Sequence, residues 1–300
     1  ELLSDLLTVV FFLLYTYKVF NMKIGMNMLL WTNHVTEEHY GIVDNLKQTG
    51  YDGIELFLGE GNEQHYSGLG NHFSEMDMGI TCVASLAPEE NIASPDQKIR
   101  EAGLEKLKWS VDMGAALNAE VICGPFHSSF AYFTRQPPRE EERQWSIEML
   151  QKAAEYASEA NIILAPEALN RFECYLYNTM ADLKTMAERV NHPSLGAMYD
   201  THHGNIEEKS QAKAIKTIAP FLKHVHISEN DRGTPGSGQV NWNEVFRTLN
   251  EIDYKGWLTI EAFSTIIPEF ANAINVWRDY SPMEEVYTRG YSFIKVGMDI

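Results

Sequence analysis

The sequence predicts a single (β/α)₈ barrel, in which a closed ring of eight parallel strands is surrounded by helices. Short apolar runs alternate with longer segments of helical periodicity, and this alternation indicates βα units and a parallel sheet. Eight apolar runs can be counted, and a length of 300 residues suits one closed barrel, which needs roughly 250 residues. The hydrophobic fraction of 44% and the charged fraction of 22% are typical of a globular protein. One large domain with a sizeable core is therefore expected.

The strands and helices follow one another from Lys23 onwards. Strands are predicted at Lys23–Leu30, Gly53–Leu58, Ile80–Leu86, Glu120–Gly124, Ile162–Pro166, Leu195–Tyr199, His224–Ile227 and Trp257–Ile260. Helices are predicted at Glu37–Thr49, Pro95–Met113, Arg139–Ala160, Met180–Val190, Lys209–Ala219 and Asn243–Ile252, where apolar residues recur at helical spacing. In the helix that begins at Pro95, Ser94 is the expected N-cap, because proline is favoured at the first helical position.

The first 21 residues form a separate apolar segment. Leu6–Tyr15 has almost no polar residues, whereas a strand-like pattern begins at Met22. The run is shorter than the roughly 20 apolar residues of a spanning helix, and it lacks the basic region and cleavage site of a secretory signal. We interpret residues 1–21 as an extension upstream of a start at Met22, with a clipped signal peptide or a partner-binding helix as alternatives. Residues 22–300 then form the barrel and a helical C-terminal tail.

Charge and cysteine content limit the expected partners and compartment. The formal net charge is −18, from 42 acidic and 24 basic residues, and such a surface repels phosphate backbones and anionic lipids. Neither a nucleic acid nor a membrane is therefore expected as a partner. Cys82, Cys123 and Cys174 are odd in number and widely spaced, which favours buried thiols in a reducing, cytoplasmic location over disulfides or a thiolate metal site.

Polar residues stand where each of the last four predicted strands ends. Glu167 follows Pro166, Asp200 follows Tyr199, and Glu261 follows Ile260. His226 lies near the end of the seventh strand. In a barrel, the carboxyl ends of the strands gather at the active-site face, so these four side chains are expected to lie together.

A divalent metal ion is the simplest explanation for this set of residues. Three carboxylates and one imidazole would concentrate negative charge unless a cation neutralised it. Ligands that are mostly oxygen with one nitrogen favour Mn²⁺, Mg²⁺ or Co²⁺ over a structural zinc site. We therefore predict one divalent ion per chain.

Two choices between neighbouring histidines stay open at this stage. His224 and His226 point to the same side of one strand; His226 lies nearer the rim, so His224 is the expected core residue. Asp200 is followed by both His202 and His203. The local turn decides which of those two imidazoles enters the site.

Motifs on these strands resemble those of the ketose 3-epimerases, the tagatose/psicose (allulose) 3-epimerase group within the xylose isomerase-like barrels. The resemblance extends from Met22 to about Trp277, and the Ser-Glu-Asn-Asp-Arg-Gly run is its most discriminating part. The motifs that carry it are Pro166-Glu167 followed by Glu173, Tyr199-Asp200-Thr201-His202-His203, the run from His226 to Gly233, Ile260-Glu261, and the turn Asn91–Asp96.

The resemblance implies a role for each site residue. Glu167, Asp200, His226 and Glu261 would hold the metal, with Mn²⁺ preferred and Co²⁺ or Mg²⁺ as alternatives. Glu173, His203 and Arg232 would contact a free ketohexose or ketopentose, such as fructose/psicose or tagatose/sorbose. Glu167 and Glu261 would also exchange a proton on opposite faces of C3 through a cis-enediolate. The family commonly forms homodimers or homotetramers, so one of these assemblies is expected.

Two other functions compete with this reading. The same site could isomerise aldoses and ketoses, or hydroxypyruvate, by moving a proton between C1 and C2. A non-catalytic sugar-binding protein is less favoured, because both proposed acid/base glutamates are present. The loop Gly124–Phe133 departs from the family pattern. Its aromatic residues are expected to form an apolar wall around the distal end of the sugar, with a packed loop or a subunit contact as alternatives. Asn27 and Trp31 are further candidate substrate neighbours, although a structural role suits Trp31 equally well.

Overall fold

The computed structural model describes residues 22–299, and every structural statement below concerns those residues. The apolar extension predicted over residues 1–21 lies outside them. The division of the chain at Met22 therefore stays a prediction.

Eight parallel strands form the barrel, and they confirm the predicted fold class. They are β1 (Lys23–Asn27), β2 (Gly53–Phe57), β3 (Gly79–Val83), β4 (Val121–Gly124), β5 (Ile163–Pro166), β6 (Ala197–Asp200), β7 (Leu222–Ile227) and β8 (Trp257–Ile260). Strand β1 pairs with both β2 and β8. Isolated bridges from Leu164 to Leu195 and from Glu167 to Met198 join β5 to β6, so the ring closes.

Helices surround the strands, and all six predicted helices are present with small shifts at their ends. The helices are α1 (Tyr40–Thr49), α2 (Glu63–Glu75), α3 (Gln97–Ala116), α4 (Glu140–Glu159), α5 (Met180–Val190), α6 (Thr201–Glu207), α7 (Gln211–Ile218), α8 (Trp242–Glu251), α9 (Pro268–Ala273) and α10 (Met283–Met298). The C-terminal helix α10 packs on its own barrel, since the Tyr51 hydroxyl donates to the Tyr287 carbonyl at 2.8 Å.

Several predicted boundaries were wrong, including the end of β3, which stops at Val83 and not at Leu86. Side-chain hydrogen bonds explain two of these errors. Strand β1 stops at Asn27, three residues before the predicted end, because the Asn27 side chain accepts a bond from the Leu29 amide and starts a short 3₁₀ turn. The N-cap of α3 is Asp96, whose carboxylate accepts from the Lys98 amide at 2.9 Å. The Ser94 hydroxyl instead accepts from the Asp96 amide, two residues before the helix N-cap.

The lower end of the barrel, where the strands begin, is filled by the Trp257 side chain, which lies over glycines of other strands. A Cβ atom at Gly53 would come within 2.3 Å of the Gly79 carbonyl oxygen and 2.5 Å of the Trp257 ring. These distances are far below van der Waals contact, so glycine is required there. With the lower end closed and the helices covering the outside, the polar strand-end residues are accessible from the carboxyl ends of the strands.

Candidate active site

Glu167, Asp200, His226 and Glu261 lie together at the carboxyl ends of β5 to β8. One ligand atom from each residue can be chosen so that all four atoms lie within 4.8 Å of one another. All four side chains are buried, with relative exposures between 0% and 5%. The structure thus brings together the four residues that were predicted from the sequence as metal ligands.

Unpaired polar atoms at this position indicate that a cation would fit. Glu167 Oε1 and His226 Nδ1 are buried without a hydrogen-bond partner, and a buried polar atom left unpaired is costly. His226 Nδ1 faces Glu261 Oε1 at 3.3 Å and Asp200 Oδ2 at 3.6 Å. Three carboxylates and one imidazole suit a hard or borderline divalent ion, so this buried group could hold one.

The close carboxylates shift one another's protonation. Burial raises the pKa of Glu167 well above its ordinary value, and the neighbouring Glu261 carboxylate raises it further. Burial would also raise the pKa of Asp200, but the Arg232 guanidinium and nearby imidazoles hold it well below its usual range. The positively charged groups of the site therefore do not fully compensate its negative charge.

Arg232 supplies positive charge inside the site. Its Nη1 donates to Glu261 Oε2 and to Ser228 Oγ, both at 2.8 Å, and lies 3.3 Å from Asp200 Oδ2. The guanidinium also lies over the Phe263 ring at 4.9 Å. The backbone of Arg232 has a φ of 65°, a left-handed conformation that is uncommon for a non-glycine residue. The tight turn after β7 thus points this side chain into the cavity.

The turn after β6 selects His203 over His202 for the cavity. Asp200 caps α6 by accepting from the His203 amide at 2.9 Å, and His203 Nδ1 accepts from the Asn170 amide at 3.0 Å. His202 Nδ1 instead lies 3.1 Å from the Glu229 carbonyl oxygen. Burial lowers the pKa of His203 well below its ordinary value, so this imidazole is neutral.

The three residues expected to contact sugar line one cavity together with two of the carboxylates. Glu173 Oε1 accepts from Asn170 Nδ2 at 2.8 Å, which fixes its direction, and burial raises its pKa. The polar lining of this cavity includes Glu167, Glu173, His203, Arg232 and Glu261. A small molecule in the cavity would touch all five of these side chains.

Comparisons with known proteins agree with this geometry. The family model described as xylose isomerase-like TIM barrel matches residues 43–285. A D-psicose 3-epimerase of Agrobacterium fabrum is 31% identical over 264 residues, which cover 87% of this chain and 91% of the relative. A ketose 3-epimerase of Arthrobacter globiformis is 30% identical over 280 residues, which cover 91% of this chain and 96% of the relative.

The chain belongs to the ketose 3-epimerase family. It is therefore an enzyme of the isomerase class. A solved structure of D-allulose 3-epimerase from Methylomonas sp., in complex with D-allulose, superimposes with a TM-score of 0.86 at 27% identity, over 92% of this chain and 96% of that one.

Most of the other side chains that line the cavity are apolar in this member of the ketose 3-epimerase family. From the loop after β4, Phe130 lines the cavity, whereas Phe126 is buried in the core and Tyr132 is exposed. Trp31 does not line the cavity, and its ring packs near Tyr287 at 6.0 Å. The remaining apolar lining, which the sequence did not reveal, consists of Leu29, Phe57, Val83, Pro125, Leu169, Phe263, Phe270, Ala273 and Ile274.

Glu55 is the site-associated residue that sequence reasoning missed. It is fully buried on β2, beneath the four carboxyl-end residues, with Oε1 2.8 Å from His226 Nε2 and Oε2 2.9 Å from His224 Nε2. Burial would raise the pKa of Glu55, but the two imidazoles hold it well below its ordinary value. A glutamate inside an otherwise apolar strand was the available signal. As expected, His226 joins the carboxylates and His224 lies deeper in the barrel.

Among residues 22–299, no helix combines the length and the apolar character needed to cross a membrane.

Proposed function

We propose that the protein epimerises free ketoses at C3 and that it does so with one divalent ion held by Glu167, Asp200, His226 and Glu261. The observation that carries the proposal is the convergence of Glu167 and Glu261, from strands β5 and β8, on one cavity with three polar side chains suited to sugar hydroxyls. The activities of the relatives, which are named as 3-epimerases of psicose, ribulose and ketoses, support the same reaction.

The reaction needs a base on one face of C3 and an acid on the other. One of the two glutamates takes the proton from C3, the bonding electrons move towards the C2 carbonyl, and the other glutamate returns a proton to the opposite face of the resulting enediolate. Because the two residues stand on different strands, they can flank the same carbon. When bound, the ion supplies Lewis-acid polarisation of the substrate oxygens, for which we propose Mn²⁺, with Co²⁺ or Mg²⁺ as alternatives.

The remaining polar side chains would orient the sugar and offset charge. Arg232 presents a fixed guanidinium that can donate to an oxygen on which negative charge develops. Neutral His203 and Glu173 can hydrogen-bond hydroxyl groups, and Asn170 contacts both of their side chains. These contacts would keep C3 between the two glutamates.

The cavity favours a free sugar over a phosphorylated one. Among the residues that line it, Arg232 carries the positive charge, and that charge is already engaged by Asp200 and Glu261. A phosphate group would instead meet an apolar wall and three carboxylates, which repel it. We therefore propose ketohexoses or ketopentoses as substrates.

The proposal also covers the oligomeric state and the cellular location of the protein. We propose a homodimer or homotetramer, in which some of the exposed apolar side chains, such as Phe172, Ile266 and Trp277 at 71%, 55% and 64% exposure, would be covered. All three cysteines are buried free thiols, which supports a reducing, cytoplasmic location.

The decisive experiment removes bound metal with a chelator and assays a panel of ketohexoses and ketopentoses with and without added Mn²⁺. Chromatography should show products inverted at C3, formed when Mn²⁺ is restored. Products changed at C1 and C2 alone would identify an aldose–ketose isomerase instead. Sugar binding without turnover at saturating Mn²⁺ would identify a binding protein.

A further inference from the structure

Glu55 is held by its neighbours on both adjacent strands. Asn27 of β1, Glu55 of β2 and Thr81 of β3 are partners in the strand register. Asn27 Nδ2 donates to Glu55 Oε1 at 3.0 Å, and Thr81 Oγ1 donates to Glu55 Oε2 at 2.8 Å. A fully buried carboxylate held from two sides cannot turn away without leaving these donors unpaired.

The same carboxylate fixes the orientation of His226. Glu55 Oε1 lies 2.8 Å from His226 Nε2, while the other ring nitrogen, Nδ1, faces Asp200 and Glu261. An ionised carboxylate can only accept hydrogen bonds, so the proton of a neutral imidazole must be on Nε2. The Nδ1 lone pair is then directed towards the carboxyl-end site.

We propose that Glu55 is a positioning residue that orients His226 for metal binding. The inference rests on the metal site of the proposed function and extends it to a residue on the opposite side of the barrel. A histidine that binds a metal through one nitrogen gains basicity and a fixed ring direction when its other N–H donates to a carboxylate. Glu55 acts through His226 and does not touch the cavity where the sugar would lie.

A second metal site beneath the first is the competing reading. Glu55, Cys123, His224 and His226 also offer ligand atoms within 4.8 Å of one another. However, the oxygens of Glu55 already accept from Asn27, Thr81 and Cys123, the last at 3.3 Å from Sγ. His226 cannot donate Nε2–H to Glu55 and bind an ion there as well. The number of ions bound per chain separates the two readings.

Titration of the metal-depleted full-length protein with Mn²⁺ by calorimetry tests the inference. Glu55→Gln keeps the shape and removes the charge, whereas Glu55→Asp keeps the charge and withdraws it from His226. We expect the wild type to bind one ion and both variants to bind it about 10- to 100-fold more weakly. If Glu55→Gln fails to fold, Glu55→Asp still tests the inference, because it keeps the buried charge.

Tyr51→Phe is the control, since it removes the hydrogen bond that the buried Tyr51 side chain donates to the Tyr287 carbonyl at 2.8 Å, and leaves the hydrogen bonds of Glu55 and His226 in place. This variant should lose stability and keep the wild-type Mn²⁺ affinity. The visible absorption of the Co²⁺ complexes gives a second readout: it should change in Glu55→Gln and stay unchanged in Tyr51→Phe, because it reports the ligand arrangement.

Three results would overturn the inference while leaving the proposed function intact. They are wild-type Mn²⁺ affinity in both Glu55 variants, an equal loss of affinity in Tyr51→Phe, and two ions bound per wild-type chain. If the wild type bound no Mn²⁺ and epimerised ketoses without it, the inference would fail together with the metal dependence in the proposed function.

Discussion

The two halves of the barrel rim differ in chemistry. Strands β5 to β8 end in charged residues that contact one another over 2.8 to 3.6 Å, such as Arg232 with Glu261 and His226 with Asp200. The cavity lining from the ends of β1 to β4 is largely apolar and includes Leu29, Phe57 and Val83. The charge network thus lies in one half of the rim, and the other half is largely apolar. The charged half also adds apolar side chains to the cavity, namely Leu169, Phe263, Phe270, Ala273 and Ile274.

This difference predicts how each half responds to mutation. In a buried charge network, removing one member leaves its partners uncompensated, so the effects are large and depend on metal and pH. In an apolar wall, removing one side chain loses contact area alone, so the effects are smaller and independent of the metal. Variants in the two halves should therefore differ both in the size of their effect and in their response to Mn²⁺.

Glu261→Gln should abolish most of the proton exchange at C3. The amide keeps the size of the side chain but cannot take or return a proton, and loss of a general acid or base typically costs about 10²- to 10⁴-fold. Incorporation of solvent deuterium at C3 of a ketose, followed by mass spectrometry, measures the effect. Mn²⁺ binding by the variant is the control, and normal exchange would defeat the assignment of Glu261.

Replacing Arg232 with methionine should destabilise the metal-free protein strongly. The change leaves Glu261 and Asp200 without their guanidinium partner, and breaking a buried ion pair costs about 3–5 kcal/mol. Saturating Mn²⁺ should reduce the loss, because the ion compensates the same carboxylates. Urea unfolding with and without Mn²⁺ measures both values.

Arg189→Met is the matched control for Arg232, since Arg189 donates at 2.7 Å to Glu140, whose side chain is 67% exposed. Solvent screens such a pair, so its removal should change stability little and should not respond to Mn²⁺. An equal loss in Arg232→Met with and without the ion would show that Arg232 does not compensate the site's charge.

The contrast between the halves also explains what the sequence could reveal. Glu167, Asp200 and Glu261 stand out because a carboxylate directly after an apolar strand is conspicuous, and barrel topology collects such positions on one rim. Phe57 and Val83 look like any other core residue of a strand, so nothing in the pattern distinguishes a cavity wall from packed interior. The charged half was therefore predictable and the apolar half largely was not, with Phe130 as the exception.

The errors in the predicted helices and strands also have local causes. Helix α2 was not predicted, and Gly68 and Gly70 lower its helix propensity. Strands β1 and β3 each end three residues before the predicted end, at Asn27 and Val83, because periodicity does not encode where strand pairing stops. Glu55 was missed because its partners come from β1, β3 and β7, and tertiary structure alone brings them together. Strand positions were recovered well, since burial on both faces gives long apolar runs.

The free energy of unfolding should fall in acid because of His127, which lies in the loop after β4. Burial lowers its pKa from 6.5 to about 4, so below pH 6.5 the unfolded chain binds a proton that the folded chain does not. Stability is then lost as the pH falls from 6.5 towards 4, by about 1.4 kcal/mol per pH unit for one proton.

Urea unfolding of wild type and His127→Asn at several pH values isolates this contribution. The variant should lose stability at pH 7 but show a flatter pH dependence between 6.5 and 4. His202, whose pKa is also lowered to about 4, titrates in both proteins and cancels in the difference. Parallel curves for the two proteins would mean that His127 is not the group responsible.

Phe130→Ala should have the smallest effect and should act on the sugar alone. The ring lines the cavity from the β4 loop, so its loss removes apolar contact at the substrate and leaves the charge network untouched. We expect kcat/KM for a ketohexose to fall about tenfold, the lower range for a change in an apolar pocket, with unchanged Mn²⁺ affinity. Tyr132→Ala, from the same loop but exposed, should behave as wild type. If Phe130→Ala weakened Mn²⁺ binding as much as it lowered kcat/KM, the two halves of the rim would not be independent, and the wall would have to be regarded as part of the support for the metal site.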